Sequence, residues 1–176
     1  MIRDLTGGYT NQGVKGTFTG KYQINPDGGL VGLMVDSGQD ILSEGESKII
    51  LGVHKGHMGR MNFLKLPNNL SSAPLMYTLE NTDENNYEGF YVPLMDLDIG
   101  VTVDLCLDFA DTSEFQAASN EEDPLKKIAI LSSVERSSIE EFIVPQLIED
   151  IVVYESLKET GARVESSGGT GYLTLK

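Results

Sequence analysis

The chain has 176 residues, 40% of them hydrophobic and 23% charged, the make-up of a globular chain with one well-buried core. A formal net charge of −14 disfavours contacts with phosphates, so no nucleic-acid partner is expected. The single cysteine, Cys106, excludes an internal disulfide. The longest apolar stretch, Phe142 to Val153, is interrupted by Pro145, Gln146, Glu149 and Asp150, so no membrane insertion is expected.

Met1 to Tyr9 has no apolar core of the length a secretory signal needs, and a cytoplasmic location follows as the default expectation. From Gly13 to about Phe109 the chain is a run of short, glycine-spaced, alternating segments, which predicts an antiparallel meander. In Gly16 to Ile24, Phe18, Tyr22 and Ile24 share a face with Gly20, while Thr17, Thr19, Lys21 and Gln23 face the other way. Asn25-Pro26-Asp27-Gly28-Gly29 is a turn, because proline fixes φ and Asp and Gly accept turn dihedrals. Leu30 to Asp36 returns, and Ser37 to Ser47 is a polar, acidic loop. Lys48 to His54 and Met58 to Leu66 form a hairpin about Lys55-Gly56; Pro67 to Pro74 is a loop. Leu75 to Asn81 and Tyr87 to Leu94 form a further hairpin about Asp83 to Asn86. Val101 to Phe109 alternates most cleanly of all and reads as a seventh strand.

Composition changes at Ala110, by which point fifteen of the nineteen glycines have passed. Residues 111–124 read as an acidic linker. Asp123-Pro124 has the form of an N-cap followed by the first helical residue, yet Lys127 to Leu131 is β-branched enough for a strand, so helix and strand both stay open there. Ser137 and Glu140 match a capping box, and Ile139, Phe142 or Ile143, Leu147, Ile151, Tyr154 and Leu157 fall on one helical stripe. Pro145 requires either a kink or a helix that starts there, and Gly161 suits its end. Gly168 to Gly171 reads as a flexible turn, and Tyr172 to Leu175 as a last strand.

The fold class is therefore mainly β with a C-terminal helix: a single domain in which an antiparallel up-and-down meander barrel of about eight strands is closed by a C-terminal strand. Its three parts are the meander (1–110), the acidic linker (111–124) and a helical segment with the final strand (125–176). Gly16-Thr17-Phe18-Thr19-Gly20-Lys21-Tyr22, Gly28-Gly29-Leu30-Val31-Gly32, Ile50-Leu51-Gly52 and Met61-Asn62-Phe63 resemble the opening of calycin-type barrels, the group containing lipocalins, fatty-acid-binding proteins and avidins. The resemblance implies a barrel with one mouth. The chain has no tryptophan, so the Gly-X-Trp opening of lipocalins and the ring-stacking tryptophans of avidins are missing, and no family binding residue carries over.

Phe18, Tyr22, Met34, Met61, Phe63, Tyr77 and Tyr91 could line a cavity for a small lipophile, since tyrosine has an apolar body with a polar tip and methionine adapts its shape. The same residues could equally fill the barrel. His54 and His57, spaced His-X-X-His, could hold zinc or copper if carboxylates joined them, and Asp96 and Asp98 are the densest point for a hard cation. No third ligand is fixed by the spacing, so no metal is assigned. Cys106 has no histidine near it in sequence. No phosphate-binding loop, dinucleotide fingerprint or nucleophile elbow is present, and no cofactor is expected.

The reading that follows is a non-enzymatic binder of a small apolar ligand. Between Leu66 and Leu125 lie thirteen acids and no lysine or arginine, so one alternative is an acidic interaction module that docks a basic protein partner. A second is a barrel enzyme using His54, His57 and a carboxylate.

Overall fold

The computed structural model describes residues 1–37, 47–67, 74–94, 111–143, 145–162 and 168–176. Eight strands form one closed antiparallel barrel in sequence order: β1 (Arg3–Asn11), β2 (Val14–Ile24), β3 (Gly29–Asp36), β4 (Lys48–Val53), β5 (Met61–Pro67), β6 (Leu75–Asp83), β7 (Asn86–Pro93) and β8 (Gly169–Leu175). Among the described residues, four helices lie between β7 and β8 in the chain: α1 (Ser113–Asn120), α2 (Pro124–Leu131), α3 (Arg136–Glu140) and α4 (Pro145–Glu159). The closed up-and-down barrel and its C-terminal closing strand are those the sequence pattern predicts.

The strands differ from the sequence reading at β1 and at the start of β8. Arg3–Asn11, which the sequence analysis left without an element, is β1, paired with β2 on one side and with β8 on the other. β7 pairs directly with β8. Val101 to Phe109, read from the sequence as a strand, lies outside the described residues along with Cys106. The alternation in β1 is hidden by Gly7-Gly8, and both glycines have a steric cause. A Cβ on Gly7 would lie 2.6 Å from the Phe18 ring inside the barrel. One on Gly8 would lie 2.7 Å from the Tyr172 ring outside it. Gly169, Thr170 and Gly171 are likewise strand rather than turn.

Period-two alternation sorts the strand side chains between two apolar regions. Leu5, Phe18, Tyr22, Leu30, Met34, Ile50, Met61, Phe63, Tyr77, Leu79, Tyr87, Tyr91, Leu173 and Leu175 fill the lumen. The opposite faces of β3 to β7 carry Val31, Leu33, Ile49, Leu51, Leu64, Met76 and Val92 into a second core with the helices. The central strands are thus buried on both faces, which is why they read as nearly unbroken apolar runs. β1 and β2 turn Thr6, Thr17, Thr19 and Gln23 outward instead.

The helical layer settles the open readings. At 124–131 the capping chemistry wins over β propensity: the Leu125 amide donates to Asp123 Oδ1 at 2.9 Å, Pro124 opens the helix, and Ile128 and Leu131 are buried on one side. The stretch read as a linker contains α1, capped by Thr112 and anchored by Phe115 and Ala118. The Ser137 capping box does not form, because α3 starts at Arg136 and Ser137 is inside it. The long helix begins at Pro145, so the stripe splits between α3 and α4, and Tyr154 and Leu157 end up exposed. The predicted Asn25–Gly29 turn also holds the helices in place. Gly28 has φ of 92°, Asp27 Oδ2 accepts from the Arg136 amide at 3.0 Å, and Asn25 Nδ2 donates to the Ser132 carbonyl at 2.9 Å.

Glycine faces aromatic across the inner wall: Gly7 opposite Phe18, Gly32 opposite Tyr22, Gly52 opposite Phe63 and Gly169 opposite Tyr91. Overfilling such a packed interior costs about 1–3 kcal/mol. Gly7→Ala is therefore expected to lower the melting temperature by several degrees in a thermal melt, and an unchanged melt would show that the wall gives way at β1.

Candidate functional site

The lumen is filled along most of its length. Phe18, Tyr22, Met61 and Phe63 are buried in the packed core. The Phe63 and Tyr77 rings stack with centroids 4.7 Å apart, Tyr77 and Tyr91 stack at 5.1 Å, and Tyr9 meets Tyr91 edge-on at 6.2 Å. Tyr77 reaches past the neighbouring strand β7: a Cβ on Gly171 of β8 would lie 3.0 Å from its ring.

Above this stack, at the mouth where β3 and β5 end and β4 and β6 begin, a cavity of about 250 Å³ remains. It is lined by Tyr9, Met34, Val35, Asp36, Lys48, Lys65, Leu75, Tyr77 and Tyr91. Of the seven residues the sequence singled out, Met34, Tyr77 and Tyr91 line the cavity; the other four are packed beneath it. Lys48, Lys65, Val35, Asp36, Tyr9 and Leu75 were missed.

Strand geometry puts the two lysines there. On β5 the inward positions run Met61, Phe63, Lys65, and on β4 they run Lys48, Ile50, Gly52. Ile50 is the partner of Lys65, so Lys48 is its diagonal neighbour, with Cα atoms about 7–8 Å apart for such a pair. Lys65 Nζ lies 5.5 Å from the centre of the Phe18 ring, within cation–π range. Among the described residues neither lysine forms an ion pair. Burial pushes the Lys65 pKa below the ordinary lysine value, the charge of Asp36 opposes this, and the charge of Lys48 adds to it. Burial drives the Tyr77 hydroxyl far above the usual phenol range, with Tyr91, Tyr9 and Asp36 adding to the effect. Tyr91 is also raised, mainly by burial, with the Asn11 side chain pulling the other way.

The two histidines go separate ways. His54 Nε2 is 2.9 Å from the Tyr87 hydroxyl at the opposite mouth, and burial, with the charges of Lys55 and Arg136, lowers its pKa. His57 Nε2 is 2.9 Å from Glu149 Oε1 and so ties the β4–β5 turn to α4. Among the described residues no three histidine, cysteine, aspartate or glutamate side chains group as a metal site. Asp96 and Asp98 lie outside the described residues. Among the described residues no helix is long and apolar enough to cross a membrane.

No protein-family model, curated protein or solved structure matches this chain. The closed eight-strand antiparallel barrel is consistent with a calycin-like shape, and the likeness rests on that shape.

Lys65 loses hydration in the fold without gaining a described carboxylate partner, and an uncompensated buried polar group costs on the order of 1–3 kcal/mol. Its native pKa lies below its unfolded value near 10.4, so the unfolded chain binds more protons between the two and the cost fades as pH rises through that window. Lys65→Met should raise the melting temperature at pH 7 by about 2–4 °C. That gain should shrink as the pH approaches 11, and a Tm difference constant with pH would contradict the burial cost.

Proposed function

We propose that the barrel is a binding protein that takes one small, mainly apolar molecule in the cavity at the β3–β6 mouth. The observation that carries this reading is the contrast within one lumen. Most of the lumen is packed with aromatic rings, whereas about 250 Å³ stays open beside Met34, Leu75, Tyr77 and Tyr91. Interiors ordinarily close over such space, because unfilled volume forfeits contacts.

The size sets the ligand class. Pockets for drug-sized molecules run to roughly 300–1,000 Å³, so this cavity suits a smaller body, such as one fused ring pair or a short alkyl chain. The stacked Tyr77 and Tyr91 rings offer a flat apolar wall, and Met34 and Leu75 offer adaptable sides.

The uncharged single-ring dye 4-(dimethylamino)benzonitrile should gain fluorescence on binding and raise the melting temperature. Leu75→Trp, which adds bulk at the cavity wall, should weaken its binding at least tenfold. A protein that neither brightens the dye nor shifts its melt with any uncharged probe of this size has a closed lumen, and the reading falls.

A further inference from the structure

The two inward lysines give the cavity a polar end that an apolar ligand would not use. We propose that the cavity accepts a small carboxylate-bearing amphiphile, its apolar body against Met34, Leu75 and the Tyr77–Tyr91 rings and its carboxylate toward Lys48 and Lys65. This rests on the binding reading above and narrows it to an anionic ligand class.

Three observations support the narrowing. First, the lysines occupy inward positions on adjacent strands, diagonal to one another at the cavity, where apolar side chains would close the mouth as they do lower in the lumen. Second, among the described residues neither lysine is in an ion pair, although the chain has twice as many acids as bases, 27 against 13. Among the described residues Asp36 is the one acid in the lining, and it is exposed. Third, the acidic chain repels anions at long range, but charges more than about 8 Å away are largely screened at physiological salt. Two lysines in a partly enclosed site therefore set the local sign. An anion seated there returns to Lys65 the charge stabilisation that burial removes, so attraction is strongest with the ligand bound.

The test compares isosteres that differ in charge: 2-naphthoate against 2-naphthamide, and octanoate against octanamide. Affinities are measured by calorimetry at pH 7 and physiological salt. The carboxylates are expected to bind at least tenfold more tightly than the amides. In the Lys48→Met/Lys65→Met double variant that ratio should fall to about one, whereas Lys15→Met, which removes an exposed charge from β2, should keep it.

The pH profile gives a second readout that needs no variant. Among the described residues, the titratable groups that line the cavity with Lys65 are Asp36 from β3, Lys48 from β4, Tyr9 from β1, Tyr77 from β6 and Tyr91 from β7. Carboxylate preference should decline with rising pH before exposed lysines titrate. If the amides bind as tightly as the carboxylates, or the double variant keeps the ratio, the anionic class is overturned while the cavity stands. If none of the four compounds binds, both readings fall together.

Discussion

An eight-strand barrel is just wide enough for its own side chains, and large rings on every strand would not fit. Here the wall is built by setting glycine across from aromatic. The Phe18 ring occupies the space above Gly7, and Gly32, Gly52 and Gly169 stand opposite Tyr22, Phe63 and Tyr91. Each glycine removes a Cβ where a ring must lie, and each ring fills the space the glycine leaves. Closure of the β1–β8 seam depends on the same exchange, because Gly7 and Gly171 sit on those strands and accept Phe18 and Tyr77.

The aromatic stack that results divides the lumen. Phe63, Tyr77 and Tyr91 come from three neighbouring strands and stack in sequence, closing the interior with a flat floor. Below it the barrel is a packed core. Above it the inward positions on β3, β4 and β5 change from apolar to charged within one residue pair, from Met34 to Asp36, Ile50 to Lys48 and Phe63 to Lys65. Helices packed on the outer faces of β3 to β7 stiffen these strands, since both faces are then held by apolar contacts. The cavity wall is thus backed by a second core rather than by solvent.

Much of this was legible in the sequence, because period-two alternation is read directly from the residues. All seven proposed cavity residues do project into the lumen. The pattern could not say whether they enclose space or fill it, since that depends on ring reach across the barrel, as with Tyr77 toward Gly171. β1 escaped notice because Gly7 and Gly8 blank out the alternation, and with it went Tyr9. Lys48 and Lys65 were missed although the same alternation places them: extending Met61-Phe63 by two residues lands on Lys65, and stepping back from Ile50 lands on Lys48. A charged side chain in a strand ordinarily faces solvent, and at a barrel mouth that expectation fails. In the helical part, Asp123 and Pro124 outweighed the β-branched run that follows them, since a cap and a fixed φ act at the helix start whatever the interior propensity.

Lysine is an expensive choice for an inward position, and the expense bears on function. A leucine or methionine at 65 would bury apolar surface above Phe18 and complete the core at about 25 cal/mol per Å². The chain instead holds an ammonium over that ring, with part of its hydration removed and a second lysine diagonal to it. Lys65 can project its Nζ toward the open mouth along an apolar stem, which limits the penalty without abolishing it. A group left partly uncompensated in the free protein gains more from a matching charge than one already paired. Under the anionic-ligand proposal, the stability forgone at the mouth is what a bound carboxylate would return.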